Sequence, residues 1–388
     1  MPRHIVCRAR DVQLPDFTDI RRAPTRPVQF RDANFARQFD ATTLFYDALD
    51  LGHGEAVLLA PPFFNLADDL AGTTFSSDGA ACRASIKTYD RHAQIWLSGV
   101  RRGDLEADGP LGNITIPLSP SQVEIFRDRR VIFTMSKDNP IEWVLDWVRF
   151  NRDVHGADAV LLYDNGSTAY DSAALSAALQ SVAGIVASVV VEWPYRYGPQ
   201  GTRSDHWDSD FCQLGAWEHA RWCFLQQARS AMNSDIDELV LSRDGRSVFE
   251  AAERSRFGFV RYRGRWIVGV DDHDADVGER LPRHRDFSIL MPPDQHWSWR
   301  GRRDANRCSA KWTIVPARCP RDVQWHVHGI ASWLPSYLPC SRNFSFSHFR
   351  EIGSNWKYRR TNRVAFDPAI HVTDELLLKM LARVDWAA

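Results

Sequence analysis

Apolar residues change their spacing part-way along this chain, and the change marks out its organisation. Between Val28 and Gly112 they come in short runs such as AVLLAPPFF (56–64), ACRASIKTY (81–89) and AQIWLSGV (93–100), separated by Gly, Asp and Pro. Short runs of this kind bounded by turn formers predict β-strands. Ahead of them, residues 1–27 are rich in Arg, Pro and Asp and read as an extended arm, and LGNITIPLSPS (111–121) reads as a last strand or a linker. The period then lengthens. RVIFTM (130–135) has a buried-strand pattern, and IEWVLDWVRFNRDVHG (141–156) repeats its apolar positions at helical spacing, between Pro140 and Gly156. DAVLLYDNGST (158–168) is a strand entering a polar turn, Ser172–Ser181 is helical, and IVASVVVEWPY (185–195) is another strand. Alternating strands and helices predict a parallel sheet with crossover helices, in which ligands bind beyond the carboxyl ends of the strands.

Further on, LGAWEHARWCFLQQAR (214–229) predicts a helix and SDIDELVL (234–241) an extended segment. Short strands, a polar Pro-rich stretch from Asp271 to Arg307 and the runs AKWTIVP and VQWHVHGI follow. TDELLLKMLARV (373–384) predicts a closing helix capped by its threonine. The expected division is an arm (1–27), a β-rich accessory region (28–125) and an α/β domain (126–388).

Composition narrows the function classes. With 48 basic and 49 acidic residues the net charge is −1, which lacks the basic excess of a nucleic-acid binder. An apolar fraction of 44% excludes wholesale disorder. The longest apolar runs, Ala56–Ala60 and Ile185–Val191, fall well short of the roughly 20 residues that span a bilayer. The start, MPRHIVCRAR, lacks the apolar core of a secretion signal, and seven cysteines without a C-x-x-C pair do not read as a disulfide framework or zinc ribbon. The expectation is a soluble, cytoplasmic protein. Fifteen tryptophans are an excess that either fills a large core or supplies flat faces for sugar rings.

The residues that carry chemistry follow the expected strands. Asp235 and Asp237, one residue apart in an extended segment, would project to one side and offer hard oxygen ligands to Mn²⁺ or Mg²⁺ sharing its shell with a diphosphate. The competing reading is a solvated acidic turn. Asp164 and Asn165, followed by Gly166, end the second strand, where an aspartate can accept from a nucleobase N–H or a ribose hydroxyl. Ser136, Lys137 and Asp138 end the first strand, with a helix N-terminus behind them. His326 and His328, alternating in WHVHG, would face the same way and act as metal ligands together or not at all.

Taken in order, SKDNPIEWVLDWVRFNRDVHGADAVLLYDNGST, a helix carrying Gln213, SDIDELVL, AKWTIVPARCPRDVQWHVHG and FSHFREIGSNWKYRR resemble the GT-A glycosyltransferases related to families 2 and 92. The resemblance covers about 128–362 and, loosely, 40–125. It implies a GT-A fold, a Rossmann-like and mostly parallel sheet with flanking helices, preceded by a small β-rich region. It further implies a nucleotide pocket at Ser136, Lys137, Asp138, Asp164 and Asn165, with Gln213 near the donor. Asp235 and Asp237 would hold metal and diphosphate, one of His326, His328 and His348 would complete the metal shell, and Lys357, Arg359 and Arg350 would meet phosphate oxygens. Asp271, Asp272, Asp274 and Asp294, with Trp297 and Trp299, lie downstream of the D-I-D segment. The resemblance implies that one of these aspartates is a general base for an acceptor hydroxyl and that the two indoles form an acceptor platform. The competing readings are loop residues and a strand with one buried tryptophan. SAMNS (230–234) is more polar than the family's strand before D-x-D, and Leu239 stands where Phe is usual.

The leading expectation is a metal-dependent hexosyltransferase that moves a sugar from a nucleotide diphosphate sugar, UDP first among them, to a glycan or lipid-linked hydroxyl acceptor. A role in surface polysaccharide synthesis, a peripheral contact with the inner membrane face and a homodimer are compatible with it. The alternatives are a metal-dependent hydrolase using His326 and His328 and a non-catalytic carbohydrate-binding protein.

Overall fold

The computed structural model describes residues 3–101, 103–199, 208–271, 280–298, 301–304, 306–354 and 363–387; the side chains of 271, 295–298 and 301–304 lie outside that description. The chain divides into two compact units, one formed by residues 1–6, 125–191 and 227–388 and the other by 7–124 and 192–226.

In the first unit the elements are β1 (Arg3–Arg8), β2 (Arg130–Ser136), α1 (Ile141–His155), β3 (Ala159–Asp164), α2 (Ser172–Gln180), β4 (Ala187–Glu192), β5 (Ser230–Asn233), β6 (Glu238–Ser242), α3 (Val248–Arg254), β7 (Phe259–Val268), β8 (Arg307–Ile314), β9 (Gln324–His326), β10 (Gly329–Ala331), β11 (Phe344–Phe349) and α4 (Glu375–Leu381). One sheet runs β1-β4-β3-β2-β5-β8-β7, continued by Ile289–Leu290 and Val372–Thr373. It branches at β7, which also carries β11, against which β6 pairs.

The expected parallel sheet holds for β3, β2 and β5, which lie side by side and parallel. Beyond β5 the sheet is mixed: β8 runs antiparallel to both β5 and β7, and β11 runs parallel to β7. The architecture is mixed α/β and rich in strand.

Helix α1 shows how the pattern becomes structure. The amide of Trp143 bonds to the Pro140 carbonyl at 3.0 Å, and Gly156 ends the helix with φ 72°, a left-handed turn that glycine adopts without steric cost. Trp143, Val144, Trp147, Val148, Phe150 and Val154 form its buried stripe against the sheet. Two sequence expectations are corrected. The helix over 214–229 is an α-helix at Phe211–His219 that loosens into a π-helix at Ala220–Leu225. The closing helix starts at Glu375 with Asp374 as cap, its carboxylate accepting from the Leu377 amide, while Thr373 pairs with Ile289 in the sheet. Among the described residues Trp143, Trp147, Trp193, Trp217, Trp222, Trp312 and Trp325 are buried, so at least seven of the fifteen tryptophans serve the core.

His155 closes α1 inside the core. Its Nε2 donates to the Val240 carbonyl at 2.7 Å, and burial depresses its pKa to about 4. The unfolded chain therefore takes up a proton from about pH 6.5 downward that the folded protein refuses until about pH 4, so stability falls with pH across that window, by about 3 kcal/mol. Urea unfolding at pH 7, 5.5 and 4 should show that loss, and His155→Gln should flatten it; an unchanged slope in the variant would assign the loss to other groups.

The second unit is built on an eight-stranded sheet. Strands Gly112–Ile116, Leu105–Gly109, Thr74–Ser77, Ala80–Tyr89, His92–Ser98, Glu55–Ala60 and Asp47–Gly52 pair antiparallel in that order, with Ser119–Pro120 parallel on the last. Leu58, Ala93, Ile95, Leu97, Leu105 and Ile116 form its core. Residues 192–226 seal it through polar contacts: His219 meets Asp47 at 3.1 Å, Ser119 donates to the same carboxylate at 2.7 Å, and Gln94 donates to Glu218 at 3.1 Å. Among the described residues no helix is long and apolar enough to cross a membrane.

Candidate functional site

Because β3, β2 and β5 are parallel neighbours, their carboxyl ends open on one edge of the sheet. Ser136 pairs in register with Asp164, and β5 ends at Asn233, the partner of Phe133, so the D-I-D segment emerges beside β2. Two clusters stand on this edge.

The first follows β2 and β3. Asp164 is nearly buried, and one of its oxygens accepts from the Ser167 amide at 3.0 Å and the Ser167 hydroxyl at 2.6 Å. Asn165 donates its amide to the Ser136 carbonyl at 2.9 Å, and the Ser136 hydroxyl accepts from Asn139 at 2.9 Å. Asp138, with φ 52°, accepts from the amides of Thr168 (2.6 Å) and Ala169 (3.0 Å). Partial desolvation would raise the Asp138 carboxyl, but these amides and the Lys137 ammonium outweigh it and hold it below the ordinary carboxylate range. Lys137 is tied by its backbone, whose carbonyl accepts from the Ser354 hydroxyl at 2.7 Å. Sequence-expected residues Ser136, Lys137, Asp138, Asp164 and Asn165 thus lie together.

The second cluster is the turn between β5 and β6. Asp235 and Asp237 do not alternate along a strand; β5 stops at Asn233, Ile236 and Asp237 form a turn, and Glu238 begins β6. The turn is far from solvated. Ile236 is buried, and the side chains of Asp235 and Asp237 keep only 29% and 14% of their exposure. Several of its backbone groups are held. The Ile236 carbonyl accepts from His284 at 2.8 Å, the Asp237 carbonyl from the Phe349 amide at 2.9 Å, and the Asp235 amide donates to Glu238 at 2.9 Å.

Lys311, on β8, reaches both carboxylates: 2.7 Å to Asp235 and 3.1 Å to Glu238. Burial alone would strip this lysine of its proton, yet the two carboxylates outweigh that and hold the ammonium above the ordinary lysine range. Burial raises the Glu238 carboxyl, with Lys311 opposing. On the other side of the turn His348 Nε2 meets Asp237 at 3.0 Å, its ring stacked on Trp266 with centroids 3.9 Å apart. Arg350 lies over the same Trp266 ring at 5.6 Å. Of the three histidines singled out in the sequence, His348 is the one that meets Asp237. The polar strand SAMN is buried at the centre of the sheet, where Ser230 donates to Glu253 at 2.8 Å and Asn233 to the Val327 carbonyl at 2.7 Å.

Other candidates lie elsewhere. His326 ends β9 and His328 falls in the turn before β10, so the expected alternation on one strand is broken by a hairpin. His326 is bonded to Gln324 at 2.8 Å, and His328, exposed, to the Ala310 carbonyl at 3.1 Å. Gln213 belongs to the second unit, where its Oε1 accepts from the Tyr197 hydroxyl at 2.8 Å. Asp294 is exposed. The backbone of Asp271 pairs with Ala365, and its side chain lies outside the described residues, as do Asp272, Asp274, Lys357, Arg359 and Trp299 and the side chain of Trp297.

Sequence reasoning missed Lys311, Glu238, Trp266 and His284 as parts of the site. The visible signals were the fourth letter of D-I-D-E and the lysine of AKWTIVP. Among the described residues no group of three or more His, Cys, Asp or Glu side chains is assembled to hold a metal ion. Asp235 faces an ammonium and Asp237 an imidazole, so the protein alone does not form a metal cage here. No family model matches this chain, and no curated protein matches it.

Proposed function

We propose that this protein transfers a sugar from a nucleotide diphosphate sugar to a hydroxyl acceptor, on a GT-A type arrangement of β2, α1, β3, α2, β4 and β5. The observation that carries the reading is the shared edge: a hydrogen-bonded cluster holding Asp138 and Asp164 after β2 and β3 stands beside a firmly held D-I-D turn after the adjacent parallel strand β5. Ser136, Lys137, Asp138, Asp164 and Asn165 would bind and orient the nucleoside. The turn, with His348, Lys137 and Arg350, would face the diphosphate, whose departure is the step that needs charge stabilised. Mn²⁺ or Mg²⁺ belongs to the proposal as a companion of the diphosphate, in keeping with the lack of a protein-only cage, and no step is assigned to it. Lys311, Glu238 and His284 are positioning residues in this scheme: they fix where Asp235 and Asp237 stand before substrate arrives, so that no reorganisation is spent during the reaction.

The test is a thermal-shift panel with UDP, GDP, CMP and ADP, each with and without Mn²⁺. A ligand at about 100 times its dissociation constant stabilises the folded state by roughly 2.7 kcal/mol, a rise of about 5 °C. One nucleotide diphosphate should give that rise in the presence of Mn²⁺, and Asp164→Ala should remove it. A panel flat for every nucleotide would sink the donor assignment.

A further inference from the structure

Away from the D-I-D turn, the same unit carries a groove of about 780 Å³ whose lining, among the described residues, includes Arg243, Arg263, Arg265, Arg307 and Arg342 and no acidic residue. Its position follows from the sheet. Alternate residues of β7 face opposite ways, so Arg263 and Arg265 share one side while Tyr262 and Gly264 turn into the core. A side chain at Gly264 would collide with the Phe346 ring, which approaches its backbone to 2.2 Å from an ideal Cβ, so only glycine lets β11 lie this close to β7. That packing brings Ser345 of β11 into register with Arg263 on one side, while on the other Arg265 lies directly opposite Arg307 of β8. The amide of Arg243 bonds to the Asn343 carbonyl at 2.9 Å, which carries Arg243 and Arg342 to the same groove.

Like charges directly opposite on neighbouring strands repel, and among the described residues no carboxylate forms an ion pair with either arginine. Elsewhere in the unit exposed arginines meet carboxylates: Arg246 meets Asp244, Arg254 meets Glu250, and Arg280 meets Asp286. In a protein whose net charge is −1, five arginines lining one concavity with no acid among its described lining residues are a segregated positive site. A solvated basic face would not need to be concave or to set two arginines in register.

We propose that this groove binds a ligand carrying two or more phosphoryl groups. A guanidinium matches a phosphoryl group as a planar two-donor fork, several forks in one groove favour a multiply charged ligand over a single anion, and the volume suits a small molecule or one lipid headgroup. The site shares no lining residue with the Asp235–Asp237 turn, so it stands whether or not the donor assignment does.

Calorimetric titration of the full chain with inorganic pyrophosphate at low salt tests it, alongside sedimentation with phosphatidylcholine vesicles containing phosphatidic acid. Arg265→Gln/Arg307→Gln should weaken pyrophosphate binding at least about tenfold, since it removes two charge-assisted donors to the phosphoryl groups. The same variant, relieved of a like-charge pair, should melt no lower than the wild type and keep any thermal response to nucleotides. Arg263→Gln/Arg342→Gln provides a second pair, and Arg246→Gln/Arg254→Gln, outside the groove, should bind as the wild type does. Loss of vesicle binding in the groove variants would make the ligand a lipid headgroup; loss of pyrophosphate binding alone would make it soluble. The proposal falls if the wild type binds neither probe, if the groove variants bind as tightly as the wild type, or if the outside variant loses as much.

Discussion

Replacing Lys311 with methionine is expected to destabilise the folded protein by about 3–5 kcal/mol, the usual cost of leaving one partner of a buried ion pair uncompensated. Both partners are inside: the side chain of Lys311 is 1% exposed and that of Glu238 is 2% exposed, and their charged atoms are 3.1 Å apart. Without the ammonium, Glu238 must either stay charged in the core or take up a proton, and the Asp235 carboxylate loses its anchor at 2.7 Å. The double variant Lys311→Met/Glu238→Gln should recover much of the loss, because it removes the charge that the single variant strands. Urea unfolding of the two variants and the Glu238→Gln single variant gives the coupling directly. A loss below about 1 kcal/mol for Lys311→Met would show that the pair does not hold the turn.

Asp237→Asn is expected to lower transfer at least about a hundredfold, equivalent to about 3 kcal/mol of transition-state stabilisation, with little change in melting temperature. The two aspartates differ in this respect. Asp235 is bound to Lys311, so its replacement mixes catalytic and structural loss, whereas an asparagine at 237 keeps the shape that meets His348 at 3.0 Å and removes only the charge. Release of nucleotide diphosphate from UDP-sugars, with acceptor and Mn²⁺ present, is the measurement. Turnover within threefold of wild type would remove Asp237 from the chemistry and with it the core of the proposed function.

The elements that could be read beforehand are those where local signals agree with the sheet. Helix α1 has a proline at its start, a left-handed glycine at its end and an unbroken apolar stripe, and its bounds follow. β2, β3 and β4 are continuous apolar runs because both of their faces are covered. β5 gives no such signal. Its serines and asparagine are buried polar residues that bond across the unit to Glu253 and Val327, partners that no local pattern can announce. The same holds for the site. Asp164 and the D-I-D segment could be singled out because each follows a recognisable strand. Lys311 arrives from β8, His284 from the segment near Asp286 and Trp266 from β7, so their part depends on long-range contacts with no sequence signature: antiparallel pairing for β8, parallel pairing of β7 with β11, and a side-chain bond for His284. The paired histidines of WHVHG show the reverse error: an alternating pattern was taken as one strand where the chain makes a hairpin.

The place of β5 sets the order in which this molecule can be assembled. It lies between β2, which precedes it by the whole α1–β4 stretch, and β8, which ends only at Ile314. A chain emerging from the ribosome can form β2, α1 and β3 as a local unit early. Yet the strand that carries Asp235 and Asp237 to their edge has an open flank until Ile314 has been made, and Asp237 lacks the Phe349 amide longer still. Sequence-distant pairings of this sort are slow, and they leave an unpaired strand edge exposed in the interval. The acidic turn is thus among the last features to be locked in place, and a pause in translation before β8 would leave a nascent chain with its sheet begun and its site unformed.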